Sequence, residues 1–442
     1  MRLVSIHKHM LLLLLMAGAY TANAQVWSLQ QCIDTATVYN KNLRIGRNNQ
    51  ILGEQKAKEA KANQNPRITA NTDYKYFINL PYQLMPLSTF NPSAPEGQFK
   101  EAQFGVPHNI NANLQLAMPL YNPQVYGSIK NTKLATELTE LQYKKSEEQL
   151  YFEITTLYYN AQILLHQLNF LDSNLVNAAR LLKTTTLLKE QLLAKGTDVS
   201  KVKLQSSLLS THKENIQSKY AQVLNALKLA MGIAIEREMR IEPNIIYKND
   251  SNYGRFLSLD IRLVQAQKQL IVSEINTLSK SRYLPTINLV ASYGTSGFGY
   301  DKKPNNFLKF YPIGFAGIQL SYPIFNGTIT NIKIDQKRIE KQNNELQFDL
   351  LTDQNNTQVE NAKLQKEIAI KSIEMISDQI NLAQTIYDQT IFQQKQGVAT
   401  LIDILTADNS LREAQQNYLA AIVDFLKADL DLKKLTGNIS IH

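Results

Sequence analysis

Ile68-Thr69-Ala70-Asn71-Thr72-Asp73-Tyr74-Lys75-Tyr76-Phe77-Ile78 decides how the rest of the chain is read. Its even positions, Ile68, Ala70, Tyr74, Tyr76 and Ile78 with Thr72 among them, are mostly apolar. Arg67, Thr69, Asn71, Asp73 and Lys75 occupy the odd ones. Side chains of a strand point alternately to its two faces, so this is a strand with one oily and one wet side. Upstream, Asn65-Pro66 stops a helix expected to start at the N-cap Ser28 and to run to about Asn63. Downstream, residues 79–108 hold Pro81, Pro86, Pro92, Pro95 and Pro107 and read as a long loop. Alternation then resumes, with Ile110, Ala112, Leu114, Leu116 and Met118 set against Asn109, Asn111, Asn113 and Gln115, until Pro119-Leu120-Tyr121-Asn122 ends it.

From about Gln124 to Ala194 there is one glycine, Gly127, and no proline. As one helix this stretch would span roughly 105 Å. Leu150, Ile154, Leu157, Ala161, Leu164, Leu168, Leu171, Leu175, Ala178 and Leu182 step by four and three, the spacing of a coiled-coil seam. Lys195-Gly196-Thr197-Asp198 breaks the helix, with Gly196 expected in a left-handed conformation and Asp198 capping a helix that returns to Met231-Gly232.

After Pro243 and an Asn/Asp/Ser/Gly cluster at 248–254, the same order restarts. A helix from about Ser258 stops at Leu284-Pro285. Ile287, Leu289, Ala291 and Tyr293 alternate with polar neighbours, a loop runs through Pro304 and Pro312, and Ala316, Ile318, Leu320 and Tyr322 share one face. Pro323-Ile324-Phe325-Asn326 echoes Pro119-Leu120-Tyr121-Asn122, a second long helix runs from about Ile329 to Gln394, Lys395-Gln396-Gly397 breaks it, and a last helix ends at Leu435-Thr436-Gly437. The chain thus reads as a two-fold repeat, 25–245 and 246–442, with strand pairs at about 66–119 and 285–323.

Ahead of the repeats, residues 1–24 have the order of a signal peptide: basic Arg2 and Lys8, an apolar run from Met10 to Gly18, then Ala22-Asn23-Ala24. The run is too short to cross a bilayer as a helix, which takes about 20 residues, so any membrane span must be built from strands. Cys32 is the only cysteine, which excludes an intrachain disulfide, and it lies too far past the cleavage site to carry a lipid. The formal charge of +9 comes from lysines scattered along helices, as on solvated helix surfaces, and not from a nucleic-acid patch.

Strands of about ten residues with one apolar face fit a tilted bilayer crossing. An open sheet edge is forbidden in lipid, so the four strands must close with strands of other chains. Two chains would make a barrel filled by side chains, whereas three, with twelve strands, begin to leave a lumen, and the Asn-rich faces suit water.

Several motifs resemble the TolC-type outer-membrane efflux family. They are Trp27-Ser28-Leu29-x-x-Cys32-Ile33 opening the first helix, Leu284-Pro285 before a strand, Pro323-Ile324-Phe325-Asn326-Gly327 after one, and Gly397-Val398-Ala399-Thr400-Leu401-Ile402-Asp403-Ile404-Leu405 after a long helix. The resemblance implies an α+β outer-membrane protein, a homotrimer with a twelve-stranded transmembrane β-barrel and a periplasmic coiled-coil tunnel. It further implies cargo taken from an inner-membrane pump through a periplasmic adaptor. It places the adaptor-docking tips at Lys195, Gly196, Thr197 and Asp198 and at Lys395, Gly397, Val398 and Ala399. Asp403 matches a gating carboxylate, carried by the second half alone. Where related sequences often carry a second acid one turn on, this chain has Thr406. Thr400-x-x-Asp403 is also a capping box, so Asp403 has two readings, gate and helix cap.

No metal-ligand spacing, paired cysteines, phosphate-binding loop or nucleophile triad stands in the sequence, and the methionines are dispersed. The expectation is a passive exit duct, neither an enzyme nor a cofactor protein, in contact with outer-membrane lipid. The rival reading is a periplasmic coiled-coil adaptor, which the strand pair inside each half disfavours.

Overall fold

The computed structural model describes residues 26–246, 253–254, 256–304 and 306–439; the signal-peptide reading and most of the 248–254 cluster lie outside them. The chain divides into two compact units, one from the described parts of 1–50, 139–265 and 346–442, the other from 51–138 and 266–345.

In the first unit, β1 (Val26–Trp27) pairs in parallel with β6 (Arg240–Ile241). Ser28 caps α1 (Leu29–Tyr39) through a reciprocal box with Gln31. The helix expected to reach Asn63 unbroken is interrupted at Asn40, whose backbone is extended, and α2 (Lys41–Ala62) starts afresh. The reason lies in the Asn40 side chain. Its oxygen accepts from the Leu43 amide at 3.0 Å and its nitrogen donates to the Ala230 carbonyl at 2.7 Å, so one buried amide starts a helix and satisfies the end of another.

Four long helices carry this unit, two of them over the part that falls within it: α3 (Pro123–Glu190, from 139), α4 (Gly196–Met231), α6 (Ile329–Lys395, from 346) and α7 (Leu401–Leu435). Leu171 and Ala178 of α3 pack on Leu209 and Ile216 of α4, with Leu164, Leu168 and Leu175 beside them. The seam from Leu150 to Leu182 is buried or half-buried throughout, but so are Thr155, Tyr158, Gln162, Asn174, Leu181 and Thr185 on the flanking positions. The face is therefore broader than a coiled-coil stripe. A two-position stripe serves one partner, whereas α3 also meets α7, where Asn174 bonds Gln415 at 3.1 Å.

In the second unit, β2 (Arg67–Tyr76), β5 (His108–Tyr121), β7 (Thr286–Tyr300) and β8 (Phe307–Ser321) form a four-stranded antiparallel sheet in the order β2-β5-β7-β8. Ile68, Leu116, Ala291 and Ala316 stand in one cross-strand row, and Asp73, Asn111, Ser296 and Tyr311 in another on the opposite face. The β5, β7 and β8 strands are 14, 15 and 15 residues long, longer than the alternation alone implied. Pro312, expected in a loop, sits inside β8 opposite Thr295. An edge strand tolerates a residue with no N–H to donate. The region 79–108, expected as loop, holds a separate hairpin of β3 (Tyr82–Pro86) and β4 (Phe99–Gln103). Its prolines frame short strands instead of preventing them. In the same unit α5 (Leu259–Tyr283) passes α3 so closely that a Cβ on Gly127 would meet Thr277 at 2.1 Å.

Candidate functional site

The residues singled out as tip or gate lie in the two turns that join α3 to α4 and α6 to α7 and in the helix ends that flank them. In the first, Leu192 is left-handed (φ 62°), its amide donates to the Lys189 carbonyl at 2.9 Å, and the Leu193 amide donates to Leu188 at 2.8 Å. In the second, Gly397 is left-handed (φ 75°), its amide donates to Gln394 at 3.0 Å, and the Val398 amide donates to Gln393 at 3.0 Å. Both are the same helix-ending motif, which satisfies the last carbonyls by reversing the chain through one left-handed residue. The structure thereby corrects the expected match of Gly196 with Gly397. Gly196 has no positive φ and is the first residue of α4, and the left-handed position is held by Leu192. A leucine there costs roughly 1–2 kcal/mol that a glycine would not.

Each return helix opens with an aspartate three residues into it accepting the N-cap amide. The Asp198 carboxylate accepts from the Lys195 amide at 3.1 Å. The Asp403 carboxylate accepts from the Thr400 amide and the Thr400 hydroxyl, both at 2.7 Å, while the Asp403 amide donates to Thr400 Oγ1 at 3.3 Å. These bonds from Thr400, side chain first and backbone second, hold the Asp403 pKa below its ordinary value. The cap reading of Asp403 is thus realised, and a capping carboxylate is not peculiar to the second half, because Asp198 is its counterpart.

Lys195, Gly196, Thr197, Lys395, Gly397 and Val398 are exposed, and Asp198 and Ala399 are half-buried. Thr406 is exposed one turn beyond Asp403, its hydroxyl donating to the Ile402 carbonyl at 2.9 Å. Asp408, two residues further on, faces elsewhere: it is buried, with Arg412 at 3.1 Å and Gln205 of α4 beside it. Burial raises its pKa, against the opposing pull of Arg412 and Gln205. Beneath both turns, Leu181, Val202, Tyr387, Ile404, Ala407 and Leu411 join all four helices in one apolar cluster. Burial, with Asp408 second, pushes the Tyr387 phenol up to about 12, so it keeps its proton at neutral pH. Around the turns Leu192 is 93% exposed and Val398 77%, with Leu193, Phe392 and Ile402 also open to solvent.

Sequence reasoning missed a second polar group in this unit. Lys366 of α6, with its side chain 7% exposed, lies 2.7 Å from Asp429 of α7; Lys433 holds the other Asp429 oxygen at 2.8 Å, and the Tyr253 hydroxyl donates at 2.5 Å. Burial pushes the Asp429 pKa up, but the bonds from Lys366, Lys433 and Tyr253 outweigh it and the net displacement is downward. Only the Asp429-Lys433 spacing of four was visible beforehand; Lys366 and Tyr253 arrive from distant sequence.

Among the described residues no cluster of metal-ligating side chains gathers, and no helix is long and apolar enough to cross a membrane. Residues 258–438 match the family described as outer membrane efflux protein. The chain is 19% identical to the outer membrane protein TolC of Salmonella enteritidis, covering 96% of this chain and 84% of that one. It is 20% identical to TolC of Escherichia coli K12, with 96% and 85% covered. Its fold matches the crystal structure of the outer membrane protein VceC from Vibrio cholerae with a TM-score of 0.73 at 15% identity, over 92% of this chain and 96% of that chain. The chain thus resembles outer membrane efflux proteins in three ways: the family match over residues 258–438, the similarity to TolC along nearly all its length, and the fold it shares with VceC.

Proposed function

We propose that three copies of this chain close a twelve-stranded barrel in the outer membrane and form the passive exit duct of a tripartite efflux or type I secretion system. The observation that carries the reading is the β2-β5-β7-β8 sheet, which has an apolar face and two edges, β2 and β8, without a partner strand among the described residues. Unpaired backbone groups are prohibitive in hydrocarbon, and four strands cannot close alone. The long helices would build a periplasmic tunnel, and an inner-membrane pump acting through a periplasmic adaptor would supply the energy.

The halves 25–245 and 246–442 descend, on this reading, from one duplicated unit. The turns support it: Glu190, Leu192, Asp198 and Gly232 each find a counterpart of the same role 205 residues on, at Lys395, Gly397, Asp403 and Gly437. The turns are the adaptor-docking tips, and their exposed Leu192, Leu193, Val398 and Ile402 offer apolar contact. Asp403 and Thr406 lie on one helix face and serve as the gate, a ring of carboxylates that favours cations, with Asp198 as a second contributor.

Outer-membrane fractions should yield trimers that resist heating in detergent. A protein released without detergent, and never trimeric, would overturn the duct in favour of a periplasmic adaptor.

A further inference from the structure

β8 departs from the alternation of its neighbours. On the face where β2 and β5 present Thr69, Asn71 and Asp73 and Asn111, Asn113 and Gln115, the same rows place Tyr311, Ile313 and Phe315 of β8. Its opposite face is apolar too, with Leu308, Phe310, Ile318 and Leu320. A strand with one side in lipid and the other in water should not be apolar on both. Tyr311, Ile313 and Phe315 are all more than half exposed, so this inner side has apolar surface to cover.

The β3–β4 hairpin has the matching deficit. Tyr82, Leu84 and Phe99 share one face of it, with Glu101 opposite Leu84 and Gln103 opposite Tyr82, and the three apolar side chains are all more than half exposed. It pairs with no other described strand, and an isolated two-stranded hairpin is marginal in water. It follows β2 directly. Within the chain's own sheet β2 and β8 are three strand spacings apart, roughly 14 Å, whereas closure brings the β8 of the next copy to one spacing, about 4.8 Å. The levels also agree. Tyr76, the last residue of β2, stands in the same row as His108, Gly299 and Leu308. Tyr311 to Phe315 therefore lie about 10 to 23 Å along β8 from the row in which β2 ends, and a five-residue hairpin strand is roughly 17 Å long.

We propose that the Tyr82–Leu84–Phe99 face of each hairpin folds inward onto Tyr311, Ile313 and Phe315 of the next copy, tying neighbouring copies together and narrowing the outer mouth of the duct. This rests on the barrel reading above. Leu84→Cys with Ile313→Cys, in a chain whose buried Cys32 is replaced by Ser, should be joined between copies by a short bis-maleimide in outer membranes, giving covalent dimers and trimers after boiling. Leu84→Cys with Ile318→Cys, on the opposite face of β8, should give none. Heat-resistant trimers without that linkage, or a linkage confined within one chain, would overturn the inference and leave the barrel standing. Absence of trimers from the unmodified protein would overturn both. Removal of residues 82–103 should raise single-channel conductance in planar bilayers with trimers intact; an unchanged conductance would remove the narrowing.

Discussion

The Asp403 carboxylate accepts both the amide and the hydroxyl protons of Thr400 at 2.7 Å, so the residue proposed as a gate is also the cap of its own helix. The two roles are compatible, because the cap lowers the pKa and keeps the charge in place. Asp403→Asn should keep the outline of the cap while reducing cation preference in planar bilayers. In the unmodified protein that preference should hold as pH falls to the ordinary carboxylate value of 3.8 and fade only below it. A variant with unaltered selectivity would confine Asp403 to capping.

The tips invite a contrast of substitutions. Gly397→Ala forces a side chain into a left-handed position and should cost roughly 1–2 kcal/mol. Gly196→Ala places the same methyl at a helix start, where the nearest atom is Lys189 Cε at 3.9 Å, and should be neutral or stabilising by up to about 1 kcal/mol. Leu192→Gly should stabilise by relieving the strained leucine. Thermal unfolding of the trimers ranks the three, and equal effects at Gly196 and Gly397 would contradict the turn geometry.

Docking is tested separately. A large residue at Gly196, or Gly397→Pro, should abolish adaptor-dependent export while heat-resistant trimers persist. Normal export by both variants would move the docking site elsewhere.

Asp429 holds two lysines and a tyrosine, and Asp429→Ala leaves the buried Lys366 ammonium uncompensated, at a cost of roughly 3–5 kcal/mol. Because its folded-state pKa is lowered, its contribution is present above the ordinary value of 3.8 and is lost as pH falls through the lowered one. The stability gap between Asp429→Asn and the unmodified protein should therefore close only in strong acid. A gap that closed near neutrality would rule out the arrangement.

Gly127→Val should destabilise by roughly 1–3 kcal/mol, since its Cβ would meet Thr277 at 2.1 Å. Thr277→Ala should recover part of that loss in the double variant. Simple additivity in denaturant unfolding would show that the helices are not in contact there.

Much of this was legible in the chain itself because alternation and heptad steps are local. The strand at Arg67–Tyr76, the long helices, the Thr400–Asp403 cap and the motifs that carry the TolC-type resemblance are all written in residues a few positions apart. What failed to show depended on distance or on shape. Asn40 breaks a helix because a carbonyl 190 residues away needs its amide. The hairpin at Tyr82–Gln103 was hidden by prolines that also suit a loop. Gly196 drew the eye as a turn residue although Leu192 makes the turn, because the composition of a turn does not state which of its residues reverses the chain.

The long helices, the four strands of the main sheet and the need for an oily and a wet sheet face are written in the chain itself, since these follow from backbone periodicity and side-chain polarity. Tertiary structure alone decided that the two strand pairs join through β5 and β7 into one sheet whose edges β2 and β8 meet no other described strand, that Leu192 and not Gly196 reverses the chain, and that Lys366, Tyr253 and Asp429 meet. Long-range pairing depends on which surfaces fit once the chain is folded, and no periodicity in the sequence records that fit.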